Sequence, residues 1–260
     1  MSKEKYKIHE KSIWISLTII ESDLRFFDVE LSAEKRSLTD LIRWLRSTLN
    51  VFVTLNNLSD LLKRTRFNGT ELFTNKTKAL RKELDFINHM RNKSAGHLDP
   101  LLTERAAQWM PQIFSTVNSD NERYKEFRIF EAYRAVIESS INSYVSGEGR
   151  RKVFDHEIDL VYPPDQKEFY DFLHKKIHGS LEWLALAVEI IESAGIFDGQ
   201  HSTAELACIA GQTNFDLKGA SDFSYSEDKL RDAISSEIGR AAELSEDERA
   251  NLIERLKSKI

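Results

Sequence analysis

The chain has 260 residues, of which 41% are hydrophobic and 30% are charged. This proportion supplies enough apolar side chain for a folded core and excludes a disordered chain. The formal net charge of −5 excludes a protein that coats nucleic acid through its overall positive charge, although a local basic groove is still open.

The sequence carries no signal for a membrane or for export. No apolar run reaches the roughly 18 residues that cross a bilayer, and the first five residues, MSKEK, lead into no core like that of a signal peptide. We therefore expect a cytoplasmic protein with no membrane contact. The single cysteine, Cys208, excludes an internal disulfide and a cysteine-based zinc site.

The predicted elements are helices from one end of the chain to the other. Four prolines and ten glycines cluster between long segments whose apolar residues are spaced three and four apart. Asp99 before Pro100 predicts an N-cap with proline in the first helical position. The fold class is therefore all-α, with predicted helices near 10–28, 34–64, 75–94, 100–117, 120–146, 166–194, 203–211, 226–241 and 246–258.

Two places interrupt this helical pattern. Before Pro163-Pro164, apolar residues alternate at Ile158, Leu160 and Tyr162, which predicts a short extended connection or an edge strand. Beyond Gly195 the chain becomes more acidic and loses its periodicity. We predict a helical domain over residues 1–197 and an acidic helical C-terminal appendage over residues 198–260.

One segment contains residues suited to chemistry. In the predicted helix 75–94, Leu80, Leu84 and Ile87 form a stripe that must be buried, and continuing the spacing by four places Arg91 at its end. A guanidinium that faces a packed surface is costly to bury unless it is paired, so Arg91 either has a hydrogen-bonding partner or serves a function.

The residues after Arg91 are small and then polar. Ser94, Ala95 and Gly96 allow another backbone or a polymeric ligand to approach closely. In an unbroken helix His97 would point about 120° away from Arg91. Their convergence therefore requires either that Gly96 ends the helix or that a second subunit, related by a two-fold axis, brings two copies of the pair together.

The run Arg91-Asn92-Lys93-Ser94-Ala95-Gly96-His97 resembles the signature of HEPN-domain proteins, especially those of abortive-infection and toxin systems. The resemblance implies an HEPN-like helical bundle with additional C-terminal helices. It also implies a metal-independent endoribonuclease without cofactors, acting as a homodimer in a defence or toxin–antitoxin system. An antitoxin or an activator protein would be a further partner.

The residue types fit that chemistry. The unperturbed pKa of a histidine side chain lies near neutrality, so His97 suits proton transfer. Arg91 suits bidentate contact with a phosphate, and Asn92 would orient the substrate or the histidine. Lys93, Arg81 and Lys82 are the cations that we expect to bind the RNA. Attack by the 2′-hydroxyl would leave a 2′,3′-cyclic phosphate, and DNA would be inert.

The alternative is a non-catalytic HEPN-like module that binds a ligand or another protein. In that case Arg91 pairs with a carboxylate such as Glu83 or Asp85 of a neighbouring chain, and His97 is a hydrogen-bonded turn residue. Trp109, only a dozen residues past His97, could line a cleft or serve in packing.

A second group of polar residues could bind a metal ion. His174, His178 and Glu182 follow one another at intervals of one helical turn, so they share a helix face. A zinc site needs a further ligand and supporting residues, and the glutamate of the zinc-protease helix motif is missing. We therefore predict no metal site and interpret the three as a solvated or subunit-facing stripe.

Overall fold

The computed structural model has the all-α class that the sequence predicts. It describes residues 8–65, 70–116, 122–197, 199, 202–211, 213 and 215. The predicted helices 226–241 and 246–258 lie outside these residues. In the described part of the chain no helix is both long enough and apolar enough to span a bilayer.

The described residues form α-helices and two short helical segments of other types. The α-helices are α1 (Ile8–Ser32), α2 (Leu38–Arg64), α3 (Glu71–Glu83), α4 (Asp85–Met90), α5 (Pro100–Trp109), α6 (Glu122–Asn142), α7 (Pro163–Ser193) and α8 (Thr203–Gly211). A π-helical segment, Arg91–Ala95, follows α4, and a 3₁₀ segment, Pro111–Phe114, follows α5. One compact unit covers His9–Ala194, and α8 belongs to a second unit.

The single predicted helix 75–94 is wrong, because the chain forms α3, α4 and the π segment there. The interruption lies at Leu84, whose ψ of 1° leaves the α-helical region. The side chain of Leu84 is nevertheless fully buried, together with Leu80 and Ile87, as the apolar stripe predicts. The apolar spacing therefore continues past Leu84, although the α-helical conformation of the backbone is interrupted there.

The predicted helix 100–117 is also too long. Asp99 is the N-cap, as expected, and its Oδ1 accepts a backbone N–H at 3.2 Å, with Pro100 in the first turn. The helix ends at Trp109 because Pro111 has no N–H to donate and its ring collides with the preceding turn.

The connection before α7 is irregular rather than a strand. Among the described residues its regular pairing is one isolated antiparallel bridge between Val145 and Arg151. The side chain of Asn142 holds the backbone of Ile158 from both sides, since Oδ1 accepts its N–H at 2.8 Å and Nδ2 donates to its carbonyl at 3.1 Å. α7 then begins at Pro163, earlier than predicted.

α2 is the central helix of the unit. It begins after Ser37, whose Oγ accepts the backbone N–H of Asp40 at 3.1 Å. A helix buried on one face has an apolar stripe, whereas α2 buries side chains around most of its circumference. The buried residues are Ile42, Trp44, Leu45, Ser47, Thr48, Val51, Phe52, Thr54, Leu55, Asn56, Leu58, Ser59 and Leu62.

Several helices of the same unit pack around α2. α6 lies against it, and Arg46 Nε donates to the hydroxyl of Tyr133 at 3.1 Å across that contact. α4 and the π segment also pack on α2. α7 approaches it through aromatic rings, because Trp44 stacks on Tyr170 with 4.6 Å between ring centroids.

α1 runs antiparallel to α7. The indole of Trp14, near the start of α1, donates to Glu192 near the end of α7 at 3.0 Å. At the opposite ends of the two helices, His174 Nδ1 lies 2.9 Å from Asp28 Oδ1. These two contacts fix the register of α1 on α7.

Replacement of Phe169 by alanine should destabilise this unit. The ring is fully buried and packs against Phe52 and Phe154 at centroid distances of 6.4 and 6.3 Å. We expect Phe169→Ala to lower the free energy of unfolding by about 3–5 kcal/mol, measured by urea denaturation. Phe26→Ala is the matched control, because that ring is 58% exposed, and the expected change is under about 0.5 kcal/mol. Equal effects of the two changes would contradict the assigned core.

Candidate functional site

The Arg91–Ala95 segment is a π-helical turn. Its wider turn is closed by the N–H of Gly96, which donates to the carbonyl of Arg91 at 2.7 Å. Ser94 is buried and its hydroxyl donates to the carbonyl of Met90 at 2.9 Å. Single π turns are rare and occur frequently at functional sites. The helix ends at Gly96, so the unbroken helix that would separate Arg91 from His97 is not formed.

Arg91 folds back over Gly96. A methyl group on Gly96 would lie 2.9 Å from Arg91 Nε and 3.0 Å from its carbonyl oxygen. The guanidinium also donates from Nη1 to Asn92 Oδ1 at 3.0 Å. The arginine is half-buried and held by its own turn, and glycine is the residue that leaves room for it.

His97 follows directly after the glycine that Arg91 covers. Its side chain is exposed and makes no hydrogen bond to the residues that the structure describes. Leu98 and Leu101 beside it are 59% and 70% exposed. The imidazole is therefore open to solvent on a surface that also exposes apolar side chains.

Lys93, which we expected to bind RNA, forms an ion pair within the chain. Its Nζ lies 2.6 Å from Asp99 Oδ2, and the N–H of Asp99 donates to the carbonyl of Lys93 at 3.2 Å. The hydrogen bond from Lys93 holds the pKa of Asp99 below its usual value. Since Asp99 also caps α5, this pair joins the π segment to the next helix.

The other two predicted RNA-binding cations differ from each other. Arg81 Nη2 donates to the carbonyl of Leu62, close to the C-terminus of α2. A cation there satisfies a free carbonyl and is favoured by the helix dipole. Lys82 is exposed and forms no ion pair with the described residues. Arg81 and Lys93 are therefore each engaged within the chain, whereas Lys82 is exposed.

His89, two residues before Arg91, was not singled out from the sequence. Its Nε2 lies 2.9 Å from the carbonyl of Ser140 and 3.3 Å from the hydroxyl of Ser143. Because a carbonyl only accepts, this nitrogen carries the proton. Burial lowers the pKa of His89, which favours the neutral form of the ring. His89 therefore links α4 to the C-terminal end of α6 by a hydrogen bond. The local sequence around His89 does not distinguish it from other helix residues.

Trp109 lines a cleft between α5, α6 and the connection before α7. The cleft has a volume of about 400 Å³. Its lining residues are Arg105, Gln108, Trp109, Ser139, Asn142, Ser143 and Glu157. Trp109 is 42% exposed, so one part of the ring faces the cleft while the indole N–H points inward.

The inward partner of Trp109 is the buried carboxylate of Glu138. The indole donates to Oε2 at 2.7 Å, and the N–H of Leu160 donates to Oε1, also at 2.7 Å. Burial raises the pKa of Glu138 to about 7, although these donors and the nearby Arg134 favour the charged form. A carboxyl group that titrates near neutrality therefore lies directly behind the wall of the cleft.

Neither protein-family models nor curated protein sequences nor solved structures give a match to this chain. The likeness to HEPN-domain proteins is therefore still a prediction, based on the motif from Arg91 to His97.

Gly96→Ala should displace Arg91. The added methyl would meet both the side chain and the backbone of Arg91, and the backbone oxygen cannot yield without distorting the π turn. We expect the free energy of unfolding to fall by about 1 kcal/mol in urea titrations. Gly179→Ala is the matched control. It would meet nothing within 4 Å in α7, so it should raise stability by about 0.5–1 kcal/mol. A stabilising effect of both changes would contradict the contact between Gly96 and Arg91.

Glu138 should make the stability of the protein depend on pH. The unfolded carboxyl releases its proton near 4.5 and the folded one near 7. Between these values the folded state binds more protons, so stability falls as pH rises, by up to roughly 3 kcal/mol. Glu138→Gln should flatten this fall in urea titrations at pH 5, 6 and 7, whereas Glu157→Gln, on the cleft surface, should preserve it. An unchanged slope in Glu138→Gln would contradict the raised pKa.

Proposed function

We propose that this protein is a metal-independent endoribonuclease of the HEPN type, acting as a homodimer in a defence or toxin–antitoxin system. The observation that carries the proposal is the π turn, which folds Arg91 over Gly96 directly before an exposed His97. The helix ends at Gly96, directly before His97, and a second subunit would bring two such turns together.

The reaction needs a base, an acid and a positive charge. The 2′-hydroxyl attacks the adjacent phosphorus while its proton passes to a base, the bond to the 5′-oxygen breaks, and an acid protonates that oxygen. The products are a 2′,3′-cyclic phosphate and a 5′-hydroxyl. One neutral and one protonated imidazole can perform the two proton transfers, which requires the His97 side chains of both subunits.

Arg91 is suited to stabilise the transition state. Its guanidinium stays charged at any physiological pH and can bind two phosphate oxygens at once. Asn92 holds that guanidinium through Oδ1 and leaves the other donor nitrogens available to substrate. Preorganised charge of this kind requires no reorganisation during the reaction.

The surface beside His97 favours association with a second copy of the chain. Leu98 and Leu101 expose large apolar side chains next to the imidazole. Exposed apolar groups that lie together mark surfaces of interaction. A two-fold axis passing this turn would bury both leucines and place two Arg91–His97 pairs in one cleft.

The second candidate is a non-catalytic module of the same fold, which binds a ligand or a partner such as an antitoxin or activator. The observation in its favour is that Lys93 and Arg81 are already engaged, one with Asp99 and the other with the end of α2. Those two cations have less charge to offer to RNA than the sequence alone indicates.

RNA cleavage in excess EDTA tests the proposal. Purified wild-type protein should produce discrete fragments from total RNA, each ending in a 2′,3′-cyclic phosphate, and should leave DNA intact. His97→Ala and Arg91→Ala should each lower the rate by at least about 100-fold with an unchanged circular dichroism spectrum. His9→Ala is the matched control, because it removes another exposed histidine of the same chain and should cleave as the wild type does.

Three outcomes would count against the ribonuclease. Equal cleavage by wild type and His97→Ala would place the activity elsewhere or in a contaminant. Cleavage that stops in EDTA would contradict a metal-independent reaction. Absence of cleavage by the wild type, together with retention of a specific protein or ligand, would favour the non-catalytic module.

A further inference from the structure

A carboxylate of α1 faces two histidines of α7. His174 Nδ1 lies 2.9 Å from Asp28 Oδ1, and His178 Nε2 lies 3.4 Å from the same oxygen. The three ligand atoms all lie within 4.8 Å of one another. We propose that Asp28, His174 and His178 bind a divalent transition-metal ion of the zinc class, which joins α1 to α7.

The fold brings these residues together in a defined register. His174 and His178 are one turn apart on α7 and therefore project from the same face. Asp28 is separated from His174 by 146 residues in sequence. The bond from Trp14 to Glu192 at the other end of the helix pair fixes how far α1 slides along α7. The carboxylate therefore faces the histidine pair because of helix packing.

The donor set selects among metal ions. Two imidazole nitrogens and one carboxylate oxygen suit Zn²⁺ and its neighbours in the transition series, whereas Ca²⁺ and Mg²⁺ prefer oxygen ligands alone. Around a tetrahedral zinc ion the ligand atoms lie about 3.3 Å apart. Two of the present separations, 2.9 and 3.4 Å, lie close to this value, and all three ligand atoms are within 4.8 Å of one another.

One coordination position faces solvent. The side chain of His178 is 61% exposed, whereas those of His174 and Asp28 are 26% and 24% exposed. Three protein ligands and a water molecule complete a tetrahedral zinc site. Glu182, which shares the helix face in the sequence pattern, is exposed and is not among the three residues that converge.

Aromatic packing orients one of the ligands. The ring of His174 stacks on Tyr170 with 6.0 Å between centroids, and Tyr170 in turn stacks on Trp44. The ammonium group of Lys35 lies 4.9 Å from the centre of the Tyr170 ring, on the α1 side of the stack. Metal sites depend on such supporting contacts, because a ligand that is already oriented loses less freedom on binding.

A single oxygen of Asp28 lies close to a ring nitrogen of both histidines. A divalent ion would accept lone pairs from all three groups at once. The site is separate from the Arg91–His97 turn, and its role is to hold two helices together, independently of RNA cleavage.

Metal titration of the full-length protein tests the site. After removal of metal with a chelator, calorimetry with ZnCl₂ should show one equivalent bound per chain, and the melting temperature should rise with added Zn²⁺. Substitution by Co²⁺ should give the strong visible absorption of a tetrahedral site. Asp28→Asn, His174→Ala and His178→Ala should each weaken binding at least about tenfold.

The controls separate loss of ligand from loss of fold. His9→Ala removes an exposed histidine from α1 and should bind zinc as the wild type does. Asp28→Asn keeps an acceptor oxygen for His174, so its melting temperature without metal should stay close to that of the wild type. Cleavage of RNA in EDTA should be unaffected by all three ligand changes, so the outcome here is independent of the ribonuclease proposal.

Two results would overturn the inference. The first is absence of zinc binding to the metal-free wild type at micromolar concentrations. The second is binding that persists unchanged in both Asp28→Asn and His174→Ala, which would assign the ion to other residues.

Discussion

Burial of α2 around most of its circumference is the constraint on which the rest of the unit depends. Polar groups as well as apolar ones are enclosed along this helix, among them Thr48, whose hydroxyl donates to the carbonyl of Trp44 at 3.0 Å. Neighbouring helices must therefore cover it from several directions. α4, the π segment, α6 and α7 supply that cover. The candidate active turn therefore packs on the central helix of the unit.

The π turn has one side buried against α2 and one side exposed to solvent. Met90 and Ser94 are buried next to α2, while Asn92 and His97 are exposed, so one short segment has a fixed inner side and a free outer side. The extra residue in the turn allows Arg91 to lie across Gly96 without losing the hydrogen bond between their backbones. The ion pair between Lys93 and Asp99 then secures the exit into α5.

The sequence predicted helices and buried stripes well because both depend on local spacing. The N-cap at Asp99 and the burial of Leu80, Leu84 and Ile87 are confirmed for that reason. The same spacing concealed the break at Leu84, since the stripe continues in line while the backbone changes. The end of α5 before Pro111 was foreseeable, because proline cannot continue a helix. The predicted helix 100–117 was too long because the prediction followed the apolar spacing past this proline.

Local spacing cannot predict contacts between segments that are distant in the sequence. The histidine pair of α7 is visible as a spacing of four, but its carboxylate partner depends on how α1 slides along α7, which no local pattern encodes. Glu138 is similar, because burial raises its pKa while Trp109 and Leu160, from two other parts of the chain, donate hydrogen bonds that favour its charged form. In both cases a polar residue on a helix gains its chemical character from the segments that cover it. The residue types permit a site, and the packing of distant segments decides which of them meet.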